Sequence, residues 1–258
     1  MRKIIYYKNE LDDEFSEAEI TPKKIDKNYI YVYHSLFKKI THFFWLRIIF
    51  YPFSKMYLFL KFRHKIIGRE KLNKYKKNNY FLYGNHTHPF CDAVIPAIIN
   101  RMKDCYVIVH PNNVSMPFLG RITPSLGAIP LPDDKEATRN FVNCIDYRVK
   151  EGKAIAIYPE AHIWPYYTHI RPFRETSFRY PIKYNSPVFC FTNTYQKRKF
   201  SKNPKIVTYI DGPFFPNEDI PTSEAKMQLR NQVYEKMVER SLNSNIELIK
   251  YIKEENND

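Results

Sequence analysis

The strongest constraint on the fold of this chain is an alternation of short apolar segments with helical patterns that begins at residue 80. In chain order the segments are a strand at Tyr80–Tyr83, a helix at Asp92–Met102, a strand at Cys105–Val109, a helix at Lys135–Lys150, a strand at Ala154–Tyr158, an irregular helix at Arg174–Tyr184, strands at Pro187–Thr192 and Lys205–Ile210, and a helix from about Ser223 to Ser241. The sequence therefore predicts an α/β fold with a mixed, mainly parallel sheet flanked by helices.

An aromatic segment with a different pattern precedes this alternation. Residues 29–62, YIYVYHSLFKKITHFFWLRIIFYPFSKMYLFLKF, place apolar side chains from Phe37 to Ile48 on one helical face. Proline ends or bends a helix because it lacks an N–H group. We therefore expect an amphipathic helical hairpin that turns at Pro52 and resumes near Ser54.

The same segment suits a membrane surface better than a membrane span. Basic residues interrupt it at Lys38, Lys39, Arg47, Lys55 and Lys61. No charge-free run within it approaches the roughly 18 residues of a spanning helix. Aromatic rings flanked by Lys and Arg are typical of helices at the headgroup boundary, so we expect a peripheral or monotopic contact. The alternative is a hairpin packed on the sheet with its aromatic side chains in the core.

The charge balance indicates an anionic partner. The chain has 41 basic and 27 acidic residues, which gives a net charge of +14. An anionic membrane surface, a phosphorylated substrate, an acidic carrier protein and nucleic acid all fit this sign. Nucleic acid is the least favoured of these partners, because the sequence contains no recognised nucleic-acid-binding motif.

The cysteines and the N-terminus favour a reducing compartment. The four cysteines, Cys91, Cys105, Cys144 and Cys190, are widely spaced, which is typical of reduced thiols in a core. No apolar core of signal-peptide length occurs in the first residues, MRKIIYYKNELDDEF. We expect the protein at the cytoplasmic face of a membrane.

The loop after the first predicted strand has the clearest catalytic pattern. Tyr80–Asp92, YFLYGNHTHPFCD, presents His86, His88 and Asp92 within seven residues. A carboxylate that holds one histidine tautomer keeps the imidazole basic enough to take a proton from a hydroxyl at neutral pH. Either histidine alone is more often a polar loop residue or a helix cap. The blocks downstream are what favour catalysis.

Three further blocks follow this loop. They are Gly120–Pro132 (GRITPSLGAIPLP), Ala154–Glu160 (AIAIYPE) and Pro187–Phe191 (PVFCF). In this order and at these separations, the four blocks resemble those of the PlsC-like glycerophospholipid acyltransferases, which move a fatty acyl chain from a thioester onto a hydroxyl. The resemblance covers roughly residues 75–215.

The resemblance implies a general-base mechanism without a covalent intermediate. His86 would remove the proton of the acceptor hydroxyl, and Asp92 would hold the imidazole and stabilise the imidazolium. Backbone N–H groups of the GNHTH turn would stabilise the oxyanion. The family's histidine and aspartate are one residue closer together than His86 and Asp92, so His88 remains an alternative base.

The second and third blocks would bind the acceptor. Arg121 would bind its phosphate through a guanidinium fork, and Glu160 would accept hydrogen bonds from its hydroxyls. The family carries an arginine shortly after this glutamate, and here Arg171 or Arg174 would replace it. The expected donor is acyl-CoA or an acyl carrier protein, and the expected acceptor is a lysophospholipid or a glycerol phosphate. No cofactor is expected.

Two other interpretations of the site remain. A catalytic metal on His86, His88 and Asp92 is not favoured, because no Asp–His pair follows to complete a binuclear hydrolase pattern. A nucleophilic Cys91 is less favoured still, since a buried thiol is the commoner outcome. A non-catalytic protein that binds membranes or anionic ligands is the main alternative function.

A basic connector, Lys71–Lys77 (KLNKYKK), marks a domain boundary. The sequence then predicts an N-terminal tail at 1–28, a membrane-interface hairpin at 29–70 and an acyltransferase catalytic domain at 71–258.

Overall fold

The computed structural model describes residues 3–15 and 21–254. Its strands are β1 (Lys3–Tyr7), β2 (Lys65–Ile67), β3 (Tyr80–Gly84), β4 (Cys105–Val109), β5 (Ala128–Pro130), β6 (Ala154–Ile157), β7 (Val188–Gln196), β8 (Lys205–Phe214) and β9 (Ile249–Lys253). Its α-helices are α1 (Leu36–Phe43), α2 (Tyr51–Phe62), α3 (Pro89–Asn100), α4 (Asn112–Ser115), α5 (Lys135–Lys150), α6 (Arg179–Lys183) and α7 (Thr222–Ser241). Short 3₁₀ segments lie at Arg69–Tyr75, Leu119–Arg121, Thr123–Leu126 and Glu175–Phe178.

The central sheet has seven strands in the order β2-β8-β7-β3-β6-β4-β5. Its neighbouring strands are parallel except for β7 and β8, which form an antiparallel hairpin. This arrangement confirms the predicted mixed, mainly parallel sheet. Strands β1 and β9 pair in parallel as a separate two-stranded sheet. Four strands, β1, β2, β5 and β9, were not predicted. Strands β1, β2 and β9 have no fully buried residue and β5 has only three residues, so none forms a buried apolar run like those of β3 and β6.

Both faces of the central sheet are covered. On β3, Leu82 belongs to a core shared with α2 and α3, whereas Phe81 and Tyr83 belong to a core shared with α5 and α7. This double burial explains why β3 reads as a continuous apolar run rather than as an alternating one. The four cysteines are buried and free, as predicted.

The N-terminal aromatic segment forms one helix and not a hairpin. Helix α1, a π-helical stretch at Phe44–Phe50 and helix α2 follow one another without a turn. Phe50 and Tyr51 keep right-handed helical backbone angles beside Pro52. Pro52 has no N–H group to donate to the preceding turn, and the wide π turn before it marks where the hydrogen-bond pattern of the helix adjusts. We call this unit the N-terminal helix (Leu36–Phe62).

An ion-pair cluster holds the N-terminal helix on the sheet. Asp104, just before β4, pairs with Arg47, with Lys153 at 2.8 Å and with His42 at 3.7 Å. The Arg47 side chain is only 7% exposed and also donates to the Arg101 carbonyl. Arg47, which interrupts the apolar pattern in the sequence, therefore points inward. Its charge does not lie on the outward face of the helix.

The outward face of the N-terminal helix is mainly apolar, with exposed lysines at Lys38, Lys39 and Lys55. Its exposed large apolar side chains are Leu36, Phe37, Ile40, Phe43, Phe44, Ile48, Ile49, Phe53, Met56, Phe59 and Leu60. By length and composition alone this helix is able to cross a membrane, and 17% of its most apolar window is buried. Exposed apolar patches of this kind mark interaction sites. The division at residues 28 and 70 stays a prediction, and residues 1–2 and 16–20 of the predicted tail lie outside the described part of the chain.

We predict that Asp104→Asn detaches the N-terminal helix from its ion-pair cluster. Burial disfavours the Asp104 charge, but the neighbouring His42 and Lys153 hold the pKa of this carboxyl below its ordinary value. A lowered folded-state pKa stabilises the protein above about pH 4 and loses its effect as the pH falls further. We expect a loss of about 1.5–3 kcal/mol in urea unfolding at pH 7.

The difference between Asp104→Asn and the wild-type protein should shrink as the pH is lowered. Asp146→Asn is the matched control, because Asp146 forms an exposed helical pair with Lys150. Such pairs contribute under about 0.5 kcal/mol. Equal, pH-independent losses in the two variants would contradict the prediction.

Candidate active site

Three of the predicted site residues, His86, Asp92 and Glu160, gather at one edge of the central sheet. Strands β3 and β6 are parallel neighbours, so their carboxyl ends lie side by side. His86 follows β3 and Glu160 follows β6. We call this the site edge, and it corresponds to the place where open α/β sheets bind ligands.

His86 and Asp92 form a hydrogen-bonded pair. The Nδ1 atom of His86 lies 2.9 Å from Oδ2 of Asp92. Because the carboxylate accepts, we assign the proton to Nδ1, which leaves the lone pair on Nε2. No described residue hydrogen-bonds Nε2, and the His86 side chain is 18% exposed. The ring stacks on Tyr158 with 4.5 Å between centroids, which fixes its plane.

The buried Asp92 carboxylate organises the whole loop. It is 1% exposed, and its Oδ2 also accepts the N–H groups of Thr87 at 2.7 Å and His88 at 2.8 Å. Asp92 lies in the first turn of α3, where the helix dipole favours an anion. These N–H groups are therefore committed to Asp92. The expectation that the GNHTH turn offers them to an oxyanion does not hold for Thr87 and His88.

His88 caps α3. Its Nδ1 accepts the N–H groups of Phe90 and Cys91, each at 3.2 Å. Burial lowers the pKa of His88, and the Asp92 charge offsets this only in part. A neutral imidazole that accepts at Nδ1 carries its proton on Nε2, which lies 3.4 Å from the Tyr166 hydroxyl. The helix-cap interpretation thus describes His88, and the carboxylate pairs with His86.

Glu160 supports His86 from behind. Its Oε2 accepts the His86 N–H at 3.1 Å, and its Oε1 accepts the Arg171 N–H at 3.2 Å. The Arg171 guanidinium lies 3.5 Å from Oε2, and both side chains are buried. Burial raises the pKa of Glu160 against the opposing effect of Arg171. With both oxygens engaged and 3% exposure, Glu160 holds the loop backbone rather than facing an acceptor.

Both ends of the described chain brace this Glu160–Arg171 pair. The Arg171 guanidinium donates to the Glu10 carbonyl at 3.2 Å and lies 4.9 Å from the centre of the Trp164 ring. Trp164 donates its backbone N–H to the His86 carbonyl at 3.1 Å and its indole N–H to the Asp13 carbonyl at 2.8 Å. Tyrosines of β1 and β9 pack on the indole. The two-stranded sheet therefore stabilises the loop that carries His86.

A buried chain of hydrogen bonds reaches Asp92 from the other side. The His64 Nε2 atom lies 2.8 Å from the Thr208 hydroxyl, which donates to Oδ1 of Asn193 at 2.6 Å. The Asn193 side-chain amide lies 3.5 Å from Oδ1 of Asp92. The Asn193 backbone donates its N–H to Oδ1 of Asn85 and accepts from the Asn85 side-chain amide. Burial lowers the pKa of His64 to about 4, so this imidazole is neutral and donates from Nε2. Each donor in this series of hydrogen bonds points toward the Asp92 carboxylate.

Sequence reasoning missed this chain of donors. Asn193, Thr208 and His64 lie on two strands and at a helix end, and no local spacing relates them.

The structure leaves Arg121 and Arg174 exposed, and no described residue forms an ion pair with either guanidinium. Burial raises the pKa of the Cys91 thiol, which argues against its use as a nucleophile. No three metal-ligating side chains of the described residues are grouped to hold an ion.

Comparisons with known proteins identify a matching family and a similar solved structure. A family model described as "Acyltransferase" matches residues 63–192. The solved structure of the 1-acyl-sn-glycerophosphate acyltransferase PlsC from Thermotoga maritima is similar to this chain, with a TM-score of 0.56 and 17% identity over 81% of each chain. A likeness at this identity shows the fold. No curated protein matches the chain.

We predict that Thr208→Val disturbs the His86–Asp92 pair from a distance. The substitution keeps the shape of the side chain but removes the donor to Asn193 and leaves a buried amide oxygen without a partner. We expect the downfield proton resonance of His86 Nδ1–H to shift, together with a loss of about 1–3 kcal/mol in unfolding free energy.

Thr192→Val is the matched control for Thr208→Val. Thr192 is equally buried on β7, beside Asn193, but its hydroxyl has no hydrogen-bond partner. Replacing an unpaired buried hydroxyl by a methyl group should leave both the resonance and the stability unchanged. If the two variants shift the resonance alike, Thr208 has no positioning role.

Proposed function

The chain belongs to the acyltransferase family, and we propose that it transfers a fatty acyl group from acyl-CoA or an acyl carrier protein to a hydroxyl of a lysophospholipid or glycerol-phosphate acceptor. The observation that carries this proposal is the His86–Asp92 pair, with 2.9 Å between Nδ1 and Oδ2 and with Nε2 free. A base with a free lone pair at the site edge is what attack by a hydroxyl on a thioester requires.

In the proposed reaction, Nε2 of His86 takes the proton of the acceptor hydroxyl as that oxygen attacks the thioester carbonyl carbon. The C–S bond then breaks, and the imidazolium returns its proton to the leaving thiolate. Asp92 stabilises the imidazolium and keeps its proton on Nδ1. No covalent acyl-enzyme forms. General-base catalysis of this kind contributes about 10²–10⁴-fold in rate.

Glu160 acts in this proposal as a positioning residue. It anchors the His86 backbone N–H and is itself fixed by Arg171. Acceptor binding is assigned instead to exposed cations. Arg121 and Arg174 are the exposed arginines of the predicted acceptor blocks, and a guanidinium matches two phosphate oxygens at once.

The N-terminal helix is proposed to bring this site to a membrane. Its outward face is mainly apolar, whereas its inward face is fixed to the sheet through Arg47 and Asp104. Phe62, at the end of the helix, lies 5.3 Å from the His88 ring. A lipid acceptor held at the apolar face would thus approach the site edge from the end of the helix, at the cytoplasmic face of the bilayer.

We predict that His86→Ala abolishes acyl transfer, whereas His88→Ala leaves substantial activity. The alanine at 86 removes the base, whereas the alanine at 88 removes a helix cap, which costs about 1 kcal/mol of stability. Asp92→Asn should lower kcat with the fold intact, because an amide does not stabilise an imidazolium. The measurement is transfer of a radiolabelled acyl chain, with circular dichroism as the folding control.

The opposite result would reassign the base. If His86→Ala keeps full activity while His88→Ala loses it, the proton acceptor is His88. If neither alanine variant changes transfer, the His/Asp mechanism fails and another group takes the hydroxyl proton.

We predict that Arg121→Ala or Arg174→Ala raises the KM for a phosphorylated acceptor by about ten- to a hundredfold, from the loss of one charge-assisted contact. The KM of the thioester donor should change little. Lysine at the same position should rescue only in part, because it offers a point charge in place of a fork. Each variant is the control for the other, because only the arginine that binds the phosphate should show this rise in KM. Equal effects on phosphorylated and phosphate-free acceptors in both variants would exclude them as phosphate ligands.

A further inference from the structure

The loop of the β7–β8 hairpin carries an unusual surface. Residues 197–204, KRKFSKNP, join Gln196 to Lys205, and we call this segment the basic hairpin loop. Phe200, at its tip, is 89% exposed. The side chains of Lys197, Lys199 and Lys202 are exposed as well. Neither the proposed reaction nor the core uses any of these four side chains.

The basic hairpin loop lies at the site edge. Strand β7 runs parallel to β3, with Gly84 opposite Phe191, and then continues five residues further to Gln196. Asn193, which bonds Asn85 and Asp92, lies only three residues before this end. The loop therefore leaves the sheet on the side where the site opens.

A direct contact fixes the loop to the N-terminal helix. The Arg198 guanidinium donates to the Lys61 carbonyl in the last turn of α2 at 2.8 Å. A cation at this position also neutralises the negative end of the helix dipole. Phe200 is two positions after Arg198, so their Cα atoms are at most about 7 Å apart. The segment that carries the exposed ring is thus tied, through Arg198, to the end of the helix where Phe59 and Leu60 are exposed.

The positive charges of the loop have no counter-charges among the described residues. Within the described ranges 3–15 and 21–254, no carboxylate forms an ion pair with a basic residue of the loop. Lys199 instead lies 5.3 Å from the centre of the Phe200 ring. Unpaired cations on a protein of net charge +14 are costly through mutual repulsion unless an anionic partner approaches.

We propose that the basic hairpin loop is a second membrane anchor, in which Phe200 enters the headgroup boundary of a bilayer and the flanking lysines bind anionic lipid phosphates. The inference rests on the proposed membrane contact of the N-terminal helix, which it extends at the end nearest the site. Rings flanked by long basic side chains lie in this way at a lipid surface. Contacts at both places fix the tilt of the site edge above the bilayer.

The observations favour a bilayer over an acidic protein. An acidic carrier protein would satisfy the lysines, but it gives no reason for an almost fully exposed ring at the tip. The 27 residues of the N-terminal helix span about 40 Å, and the loop extends its apolar face at one end. A flat partner that offers hydrocarbon and phosphate along this whole length is a membrane.

The test measures flotation of the full chain with phosphatidylcholine vesicles that contain or lack about one-third phosphatidylglycerol. Lys197→Glu/Lys199→Glu should lower partitioning to the anionic vesicles by about tenfold or more. Phe200→Ala should lower it by about five- to tenfold on both kinds of vesicle. Raising the salt concentration should weaken wild-type binding and reduce the effect of the double variant.

Matched controls use residues at the opposite edge of the sheet. Lys76→Glu/Lys77→Glu changes the net charge equally, at exposed lysines that precede β3. Phe215→Ala removes a half-exposed ring just beyond the far end of β8. Both controls should bind vesicles within about twofold of the wild-type protein, since neither position touches the proposed surface.

Each remaining outcome overturns one proposal and not the other. If the loop variants float like their controls while Phe37→Ala/Ile40→Ala on the N-terminal helix abolishes flotation, the helix anchor stands and the loop anchor fails. If the loop variants alone reduce flotation, the loop anchor stands and the helix contact fails. If they reduce transfer only from an acyl carrier protein, with flotation unchanged, the loop binds an acidic protein and the membrane proposal is overturned.

Discussion

The buried carboxylate of Asp92 is the group on which the site depends. One oxygen accepts from the His86 imidazole and from the backbone N–H groups of Thr87 and His88, and the other faces the Asn193 amide. A buried anion is costly unless donors surround it, so these bonds fold the loop around the carboxylate. The same bonds orient the imidazole and leave Nε2 open. The bonds that fold the loop therefore also orient the His86 imidazole.

Two buried networks hold this arrangement from opposite sides. The Glu160–Arg171 pair fixes the His86 backbone and is itself braced by Trp164 and the two-stranded sheet of β1 and β9. On the other side, Thr208 and Asn193 direct donors toward Asp92. Such networks are stabilising only when every member is satisfied, because an unpaired buried group costs more than a bond contributes. The site is consequently sensitive to residues far from it in sequence.

The outer surface complements this rigid interior. The N-terminal helix turns Arg47 inward to Asp104 and presents apolar side chains outward, so its inner and outer faces serve different purposes. Arg198 connects the end of this helix to the basic hairpin loop, which emerges beside the site. In the proposed reaction, a soluble thioester and a membrane-bound acceptor have to meet at His86. The N-terminal helix and the basic hairpin loop, joined through Arg198, would hold the site edge in one orientation to the bilayer.

The sequence by itself determined the regular elements and the central pair. Strands β3, β4, β6, β7 and β8 and helices α3, α5 and α7 were predictable because apolar periodicity is local. The nearness of His86 to Asp92 followed from six positions of chain. Only the tertiary structure showed that His88 caps α3 while His86 pairs with Asp92. It also kept the helix continuous through Pro52, paired the short strands and joined Glu160 to Arg171. These outcomes depend on which buried donors find acceptors across the fold, and sequence spacing does not encode such long-range pairing.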